Sequence, residues 1–238
     1  MLKRTKWKLV IVLLVILAGN YVLGLGVDRI VTVTAENAPL LNRHIVIIDA
    51  GHGGEDGGAV SCTGIPESKL NLEIALKLKD LLALLGFDTM MIRTTDRSVS
   101  TEGETIAARK ASDLKTRVSM VNETDNCVLV SIHQNYFTDS KYSGAQVFYA
   151  NTPGSRQLAE SLQSAFVATV NVGSNREVKP ADGVYLMQHV TCPAVLVECG
   201  FISNYEEESR LQTKAYQQKI CSVIAGCVSQ YINNQMMA

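Results

Sequence analysis

The chain lacks the patterns by which several common classes of protein are recognised. It contains no HExxH sequence, which excludes the helix on which many zinc proteases place two histidines one turn apart. None of its six cysteines is arranged as CxxC, so a zinc–thiolate site is not predicted. Lys and Arg number 22 and Asp and Glu 23, for a net charge of −1. Without an excess of positive charge, no nucleic-acid partner is predicted.

The N-terminal segment combines a basic start with a long uncharged run. Residues 1–8 read MLKRTKWK, and residues 9–27 read LVIVLLVILAGNYVLGLGV. This layout is typical of a signal peptide or a membrane anchor. We favour an uncleaved anchor because the run is just long enough to span a bilayer, and a cleaved signal is the alternative. Both predict an extracytoplasmic protein, membrane-anchored through residues 9–27 or secreted.

Short apolar runs alternate with helical patterns in the rest of the chain. Strands are predicted at 44–49, 87–93, 127–132, 145–150 and 194–199, and helices at 68–85, 104–122, 155–170 and 206–233. This alternation predicts an α/β fold, a mainly parallel twisted sheet of about five to six strands flanked by helices. We expect residues 28–43 to be a polar tether and residues 44–234 to form a single catalytic domain.

Four polar residues are predicted to gather at one edge of this sheet. They are His52 in the glycine-rich loop 49–58, Glu67 before the first helix, His133 after the third strand and Glu198 near the end of the fifth. Ligands of parallel α/β sheets bind at the carboxyl ends of the strands, which is where these residues fall. Each also has an ordinary alternative: a turn histidine, a first-turn acid, a strand-end histidine bonded by backbone, and a structural ion pair.

Together the four residues favour a catalytic metal site. Two histidines and one glutamate form a known zinc triad that leaves a fourth position to water. Glu198 interrupts an apolar run, and burial raises the pKa of a carboxylate towards the range of a general base. The alternative for the glycine loop, a phosphate cradle, lacks both the GK[ST] ending and the GxGxxG spacing.

At these residues the sequence resembles the zinc-dependent N-acetylmuramoyl-L-alanine amidases of the family-3 type. The matching stretches, besides Glu67, are IVIIDAGHGGEDGGA (45–59), RKASDLKTRVSMVN (109–122), VSIHQN (130–135), SGAQVFY (143–149) and PAVLVECGFISN (193–204). The resemblance covers about residues 44–232. It implies hydrolysis of the amide bond between N-acetylmuramic acid and L-alanine of peptidoglycan. It also implies Zn²⁺ on His52, Glu67 and His133, with Glu198 as the catalytic base.

The resemblance extends to possible substrate contacts. The matching residues are Arg93, Arg117, Asn122 and Asn135. For the first three, salt bridges and helix-face solvation are an equal alternative. Gln134 and Cys199 depart from the small or hydroxyl residues common at their positions, and we expect them to alter substrate fit rather than metal binding.

The stretch GVYLMQHVTCPAVLVE (183–198), the short chain and its apolar N-terminal segment resemble the spore germination-specific amidases. That likeness implies trimming of stem peptides in the forespore or cortex space, which allows muramic lactam to form. Alternatives are vegetative wall remodelling or cell separation, a different zinc peptidase that cuts within the stem and, least favoured, a non-catalytic wall-binding protein. The expected partners are peptidoglycan and the cytoplasmic membrane, and a protein activator is compatible with the sequence.

Overall fold

Strands and helices alternate along residues 44–236, the part of the chain that this computed structural model describes. The predicted anchor and tether, residues 1–43, lie outside the described residues. Within residues 44–236, none of the helices has both the length and the apolar character needed to cross a membrane.

Six strands and six helices are present in this part of the chain. The strands are β1 (Ile45–Ala50), β2 (Asp88–Met91), β3 (Cys127–Asn135), β4 (Gln146–Tyr149), β5 (Lys179–Pro180) and β6 (Ala194–Phe201). The helices are α1 (Glu67–Leu84), α2 (Ile106–Asn122), α3 (Ser155–Thr169), α4 (Tyr185–His189), α5 (Tyr205–Leu211) and α6 (Lys214–Met236).

The strands form one sheet in the order β2-β1-β3-β6-β4-β5. All neighbouring pairs are parallel except β4 and β6, which are antiparallel. The predicted mainly parallel α/β sheet is therefore confirmed. Because β1, β3 and β6 run the same way, their carboxyl ends meet at one edge, and this edge carries the polar residues singled out in the sequence.

Side chains alternate between the two faces of the sheet, as the two-residue period of a strand requires. One face buries Val46, Val130 and Val197 against α1, α3 and α6. The other face buries Ile47, Leu129 and Leu196. His133 and Glu198 continue this second alternation, four residues after Leu129 and two after Leu196, so both belong to the second face.

The structure differs from the sequence prediction at three places. The predicted closing helix is two helices, because the Thr213 hydroxyl accepts a hydrogen bond from Tyr216 N and caps a new helix start. β3 runs three residues further than its apolar run, because β6 pairs with its polar end. The short elements α4 and β5 were not predicted, since five and two residues are too few to show a period.

Candidate active site

The loop after β1 presents His52 in a conformation that is unusual for its residue type. His52 has φ 62°, in the left-handed region that side chains other than glycine rarely adopt. The carbonyls on either side are bonded by two buried arginines: Arg93 donates to Ala50 and Gly51, and Arg117 donates to Ala50 and His52. These hydrogen bonds hold the strained turn and thereby fix the direction of the His52 ring.

Glu67 enters the site as the first residue of α1. Its Oε1 accepts hydrogen bonds from Gln134 N at 3.1 Å and Asn71 Nδ2 at 3.2 Å, and its Oε2 accepts from Ala59 N at 3.1 Å. Burial would raise the pKa of this carboxyl, but the neighbouring His133 and His52 outweigh burial and hold the pKa well below its ordinary value. Glu67 is therefore a fixed, ionised carboxylate.

The two histidines approach Glu67 from opposite sides. His133 Nδ1 lies 2.9 Å from Glu67 Oε1, and His52 Nε2 lies 3.3 Å from Glu67 Oε2. One ligand-competent atom from each residue lies within 4.8 Å of the other two. Ligand atoms of a tetrahedral zinc ion, each about 2.0–2.2 Å from the metal, stand about 3.3 Å apart. The donor set and its spacing therefore fit a zinc ion.

Two glycines make this close approach possible. A Cβ on Gly51 would stand 2.2 Å from the His133 ring. A Cβ on Gly58, which has φ +69°, would stand 2.6 Å from Glu67 Oε2 and 2.8 Å from His52 Cδ2. The glycine-rich loop therefore packs against the three metal-competent side chains and has no room for a side chain at either position.

Asp56 orients His52 and was not singled out in the sequence. Its Oδ2 lies 2.9 Å from His52 Nδ1, which leaves Nε2 facing Glu67. Burial lowers the pKa of His52, but hydrogen bonds to Glu67 and Asp56 and their charges outweigh it and raise the pKa to about 9. Lys110 in turn lies 3.1 Å from Asp56. A carboxylate behind a metal-binding histidine is a recurrent pattern, and the acid four residues after His52 was the signal available.

Glu198 stands beside the three metal-competent residues. It pairs with His133 in the β3–β6 register, so both side chains belong to the same face. The residue is half-buried, and its Oε2 is buried with no hydrogen-bond partner. Burial is the main cause that raises the pKa of Glu198 to about 7. The carboxyl can thus both accept and release a proton near neutral pH.

Arg93 and Arg117 are buried beneath the loop that carries His52. They are 1% and 2% exposed, and Arg117 also pairs with Asp49 and with Asp113. Desolvation lowers and the two aspartates raise the pKa of Arg117, and the net shift is upwards. Because their guanidinium groups are engaged by protein atoms, these contacts favour the alternative of a structural role beneath the His52 loop, and contact with substrate stays a prediction.

The two asparagines implied as substrate contacts lie at opposite ends of the sheet. Asn122 is the last residue of α2 and ties it to the loop before β6 through His189 O and Thr191 N. Because β3 begins five residues later, Asn122 lies at the amino edge of the sheet, away from the three metal-competent residues, and its contact with substrate stays a prediction. Asn135 is the last residue of β3, half-buried and two residues beyond His133, so it remains beside the site.

Two further buried amides support the site from behind. Asn71, which is fully buried, donates to Gly51 O at 3.1 Å and to Glu67 Oε1 at 3.2 Å. Its own oxygen accepts from Gln134 Nε2 at 3.2 Å. Asn71 was missed, although its place one helical turn after Glu67 was a usable signal.

Three ligand-competent side chains with an adjacent, half-buried carboxylate of raised pKa are typical of metal-dependent hydrolases. Comparison with known proteins agrees. The family described as N-acetylmuramoyl-L-alanine amidase matches residues 46–230. The chain therefore belongs to the N-acetylmuramoyl-L-alanine amidase family, and it is an amidase that acts on peptidoglycan.

Individual relatives agree with the family. The germination-specific N-acetylmuramoyl-L-alanine amidase of Bacillus subtilis is 35% identical over 197 residues, covering 82% of each chain. The B. subtilis amidase LytC is 31% identical over 78% of this chain but only 35% of its own length. Among solved structures, the CwlD amidase of Clostridioides difficile, in complex with the GerS lipoprotein, has a TM-score of 0.77. It is 36% identical, covering 80% of this chain and 99% of that one.

Proposed function

We propose that this amidase removes peptide stems from spore-cortex peptidoglycan outside the cytoplasmic membrane, with zinc held by His52, Glu67 and His133 and with Glu198 as the general base. The observation that carries the proposal is the unpartnered, buried oxygen of Glu198 beside the three metal-competent side chains. A carboxylate left without a donor in such a place is explained if a water or substrate atom supplies the missing hydrogen bond.

The choice of zinc rests on the donor set. Two imidazole nitrogens and one carboxylate, with no thiolate, suit a catalytic zinc that keeps one position for water. When bound, zinc would lower the pKa of a water molecule and polarise the scissile carbonyl. The residues around the triad prepare it for a cation, because Glu67 is ionised and Asp56 directs the His52 Nε2 atom towards Glu67.

The proton transfers belong to Glu198. As a base, its carboxylate takes a proton from the attacking water, and the new bond forms between the water oxygen and the lactyl carbonyl carbon. As an acid, it then gives that proton to the nitrogen of L-alanine as the carbon–nitrogen bond breaks. A pKa of about 7 suits both halves of this cycle, because neither protonation state is strongly disfavoured near neutral pH.

The base assignment is tested with Glu198→Gln, which keeps the shape of the side chain and removes its proton affinity. We expect the variant to retain zinc and to fold, and to lose about 10²- to 10⁴-fold in kcat. Metal analysis, circular dichroism and peptide release from purified wall are measured on the same preparation. Turnover like that of the wild type would refute the role of Glu198.

The bond that is cut is tested by mass analysis of the products, with and without a chelator. Free stem peptides that begin with L-alanine support the proposal. Shorter peptides that leave L-alanine on muramic acid would instead indicate a peptidase acting within the stem. Activity that persists after zinc is removed, as measured by metal analysis, would refute a role for zinc.

The spore role is supported by the likeness to the germination-specific relative and to the CwlD amidase. The likeness to LytC keeps vegetative wall remodelling as the alternative. Deletion of the gene separates the two. We expect spore cortex that lacks muramic lactam and vegetative cells that separate normally, whereas unseparated cells with an unchanged cortex would favour the alternative.

The proposal has three further parts. Residues 1–27 act as an anchor or a signal, residues 28–43 act as a tether, and a protein activator assists the enzyme. The activator is supported by the solved complex of CwlD with a lipoprotein. Fractionation of cells, with mass analysis of the mature N-terminus, distinguishes an anchored chain from a cleaved one. Zinc content of the chain purified alone shows whether an activator is needed for metal binding.

A further inference from the structure

A polar cavity of about 790 Å³ lies beside β4, between the loops 141–144 and 170–177. We call it the basic cavity, because four cations are among its lining residues: Lys141, Arg176, Lys179 and Arg210. Of its two acidic residues, Glu207 is occupied, since its carboxylate accepts hydrogen bonds from Gly144 N and Phe201 N. Lys141 is paired with Asp139 at 2.8 Å, so Arg176, Lys179 and Arg210 are the cations that the cavity offers to a ligand.

The sheet register connects the basic cavity to the active site. In the antiparallel pair of β4 and β6, Gln146 stands opposite Glu198, and Glu198 in turn stands beside His133. Residues that are paired in this way project from the same face of a sheet, with neighbouring strands about 4.8 Å apart. Gln146 also lines the basic cavity. The cavity thus begins one strand away from Glu198, on the face that carries the catalytic residues.

Three contacts hold the Arg176 side chain against Gln146 at the edge of the basic cavity. It donates from Nη1 to Gln146 Oε1 at 3.0 Å and from Nε to Ser143 O at 3.0 Å. Its guanidinium group lies over the Phe201 ring, 4.8 Å from the centroid. Gln146, which is itself 2% exposed, donates to Glu177 O and so cannot turn away. An arginine fixed in this manner loses little conformational freedom when it binds a ligand.

Arg176 makes no direct ion pair, although it is near enough to Glu207 to interact with it: burial raises the pKa of Glu207, and the charges of Arg210 and Arg176 oppose that rise. Among residues 44–236, no Asp or Glu forms an ion pair with Arg176 or with Arg210. No protein acceptor is recorded for Nη2 of Arg176 either, so one edge of the guanidinium group remains open in the described part of the chain. A carboxylate matches the planar donor fork of arginine and would complete this set of contacts.

We propose that the basic cavity binds a free carboxylate on the peptide stem of the substrate, and that Arg176 is the residue that recognises it. The inference rests on the proposed function, because it assumes a substrate whose scissile amide lies between Glu198 and the metal triad. The stem peptides of peptidoglycan carry free carboxylates, whereas the lactyl carboxyl of muramic acid is consumed in the amide bond. The cavity therefore faces the leaving peptide.

The test compares two synthetic N-acetylmuramoyl tripeptides, one with free peptide carboxylates and one with the same carboxylates amidated. The ratio of kcat/KM for the two compounds is measured with the full zinc-loaded chain. We expect the wild type to prefer the free acid by about 10- to 100-fold, the range for a charged hydrogen-bonded contact. Arg176→Gln should bring the ratio close to one, and Arg176→Lys should fall between, since it keeps the charge but loses the fork.

Three further measurements control for general loss of charge or of folding. Lys219→Gln removes an exposed cation of α6 outside the cavity and should keep the wild-type ratio. Arg210→Gln removes the other cavity arginine, which packs on the Tyr216 ring, and should lower the ratio even if Arg176→Gln proves unstable. Calorimetric binding of the released tripeptide, as acid and as amide, reports on the same contact without turnover.

The outcomes separate the two proposals. If the wild type cuts neither compound at its muramoyl amide, the proposed function fails. If it cuts both equally well, or if Arg176→Gln keeps the preference for the free acid, the amidase assignment stands and the carboxylate subsite is refuted. Phosphate inhibition that Arg176→Gln relieves, together with a wild-type acid-to-amide ratio close to one, would show that the cavity selects phosphate, which also overturns the inference.

Discussion

Replacing Arg93 by alanine should weaken both the fold and metal binding. The guanidinium group donates four hydrogen bonds, to the carbonyls of Ala50, Gly51, Ser68 and Thr95. After the substitution Ala50 O would still accept a hydrogen bond from Arg117, and Gly51 O would still accept one from Asn71, so neither carbonyl is left without a donor. What is lost is a charged group's hydrogen bonds and the volume of a fully buried side chain.

We expect Arg93→Ala to lower the free energy of unfolding by roughly 3–5 kcal/mol, combining the lost charged hydrogen bonds with the cavity left behind. Domains are typically stable by about 5–15 kcal/mol, so the variant should still fold. The loosened His52 loop should also lower zinc affinity by about tenfold or more, as loss of support behind a metal ligand commonly does.

The assay is urea unfolding of the metal-free chain, followed by competition with a chromophoric chelator. The matched control is Arg97→Ala, an exposed arginine in the next turn of chain, which should change stability by less than about 0.5 kcal/mol. A raised KM with unchanged stability and zinc affinity would show that Arg93 contacts substrate, as the family resemblance implied, and would refute the structural role.

Three further predictions concern the glycine-rich loop 49–58, which carries His52. Gly58→Ala should lower zinc affinity and cost roughly 1–3 kcal/mol of stability, whereas Gly64→Ala, also at positive φ but with open space around it, should show only the backbone strain in the same unfolding assay. Asp56→Asn should weaken zinc binding by about 10- to 100-fold in chelator competition with little change in stability, and an unchanged affinity would contradict its orienting role. Because the His52 pKa is raised from 6.5 to about 9 without metal, its protonated form stabilises the metal-free fold fully below about pH 6.5, and this stability is lost as the pH rises to about 9. Protonation of His52 also competes with zinc. Zinc affinity should therefore rise about tenfold per pH unit up to about pH 9 while the stability of the metal-free chain falls, and a flat profile from pH 6 to 9 in calorimetry would refute the shift.

The site was largely predictable because its residues stand where apolar patterns stop. His52, His133 and Glu198 each interrupt or directly follow a buried run, and a polar group at the end of a buried strand requires a partner. The structure brings these three together with Glu67, as the strand order of a parallel sheet requires. Their roles as zinc ligands and as the base are proposals, because the distances between the side chains define which ion they can bind and not the reaction that follows.

Residues that act through packing were harder to predict. Arg93 and Arg117 matched family positions, but the sequence cannot tell a buried cation from an exposed one, because both are placed by contacts distant along the chain. Asn122 illustrates a similar limit, because the sequence does not reveal that it ends a helix at the opposite edge of the sheet from the site, where it bonds to His189 and Thr191. Asp56 and Asn71 were missed because each lies four residues from a metal-competent residue, His52 or Glu67. That spacing indicates a supporting role only once the structure shows which way the His52 and Glu67 side chains point.

The order of apolar runs and helical periods by itself determined an α/β domain, because those periods depend only on neighbouring residues. The same local signals placed two histidines and two glutamates at strand and helix ends. Only the tertiary structure decided that β4 runs antiparallel beside β6, which sets Gln146 opposite Glu198 and Arg176 against Gln146. Strand order and direction depend on how distant segments pack, and no pattern within one segment records its partner.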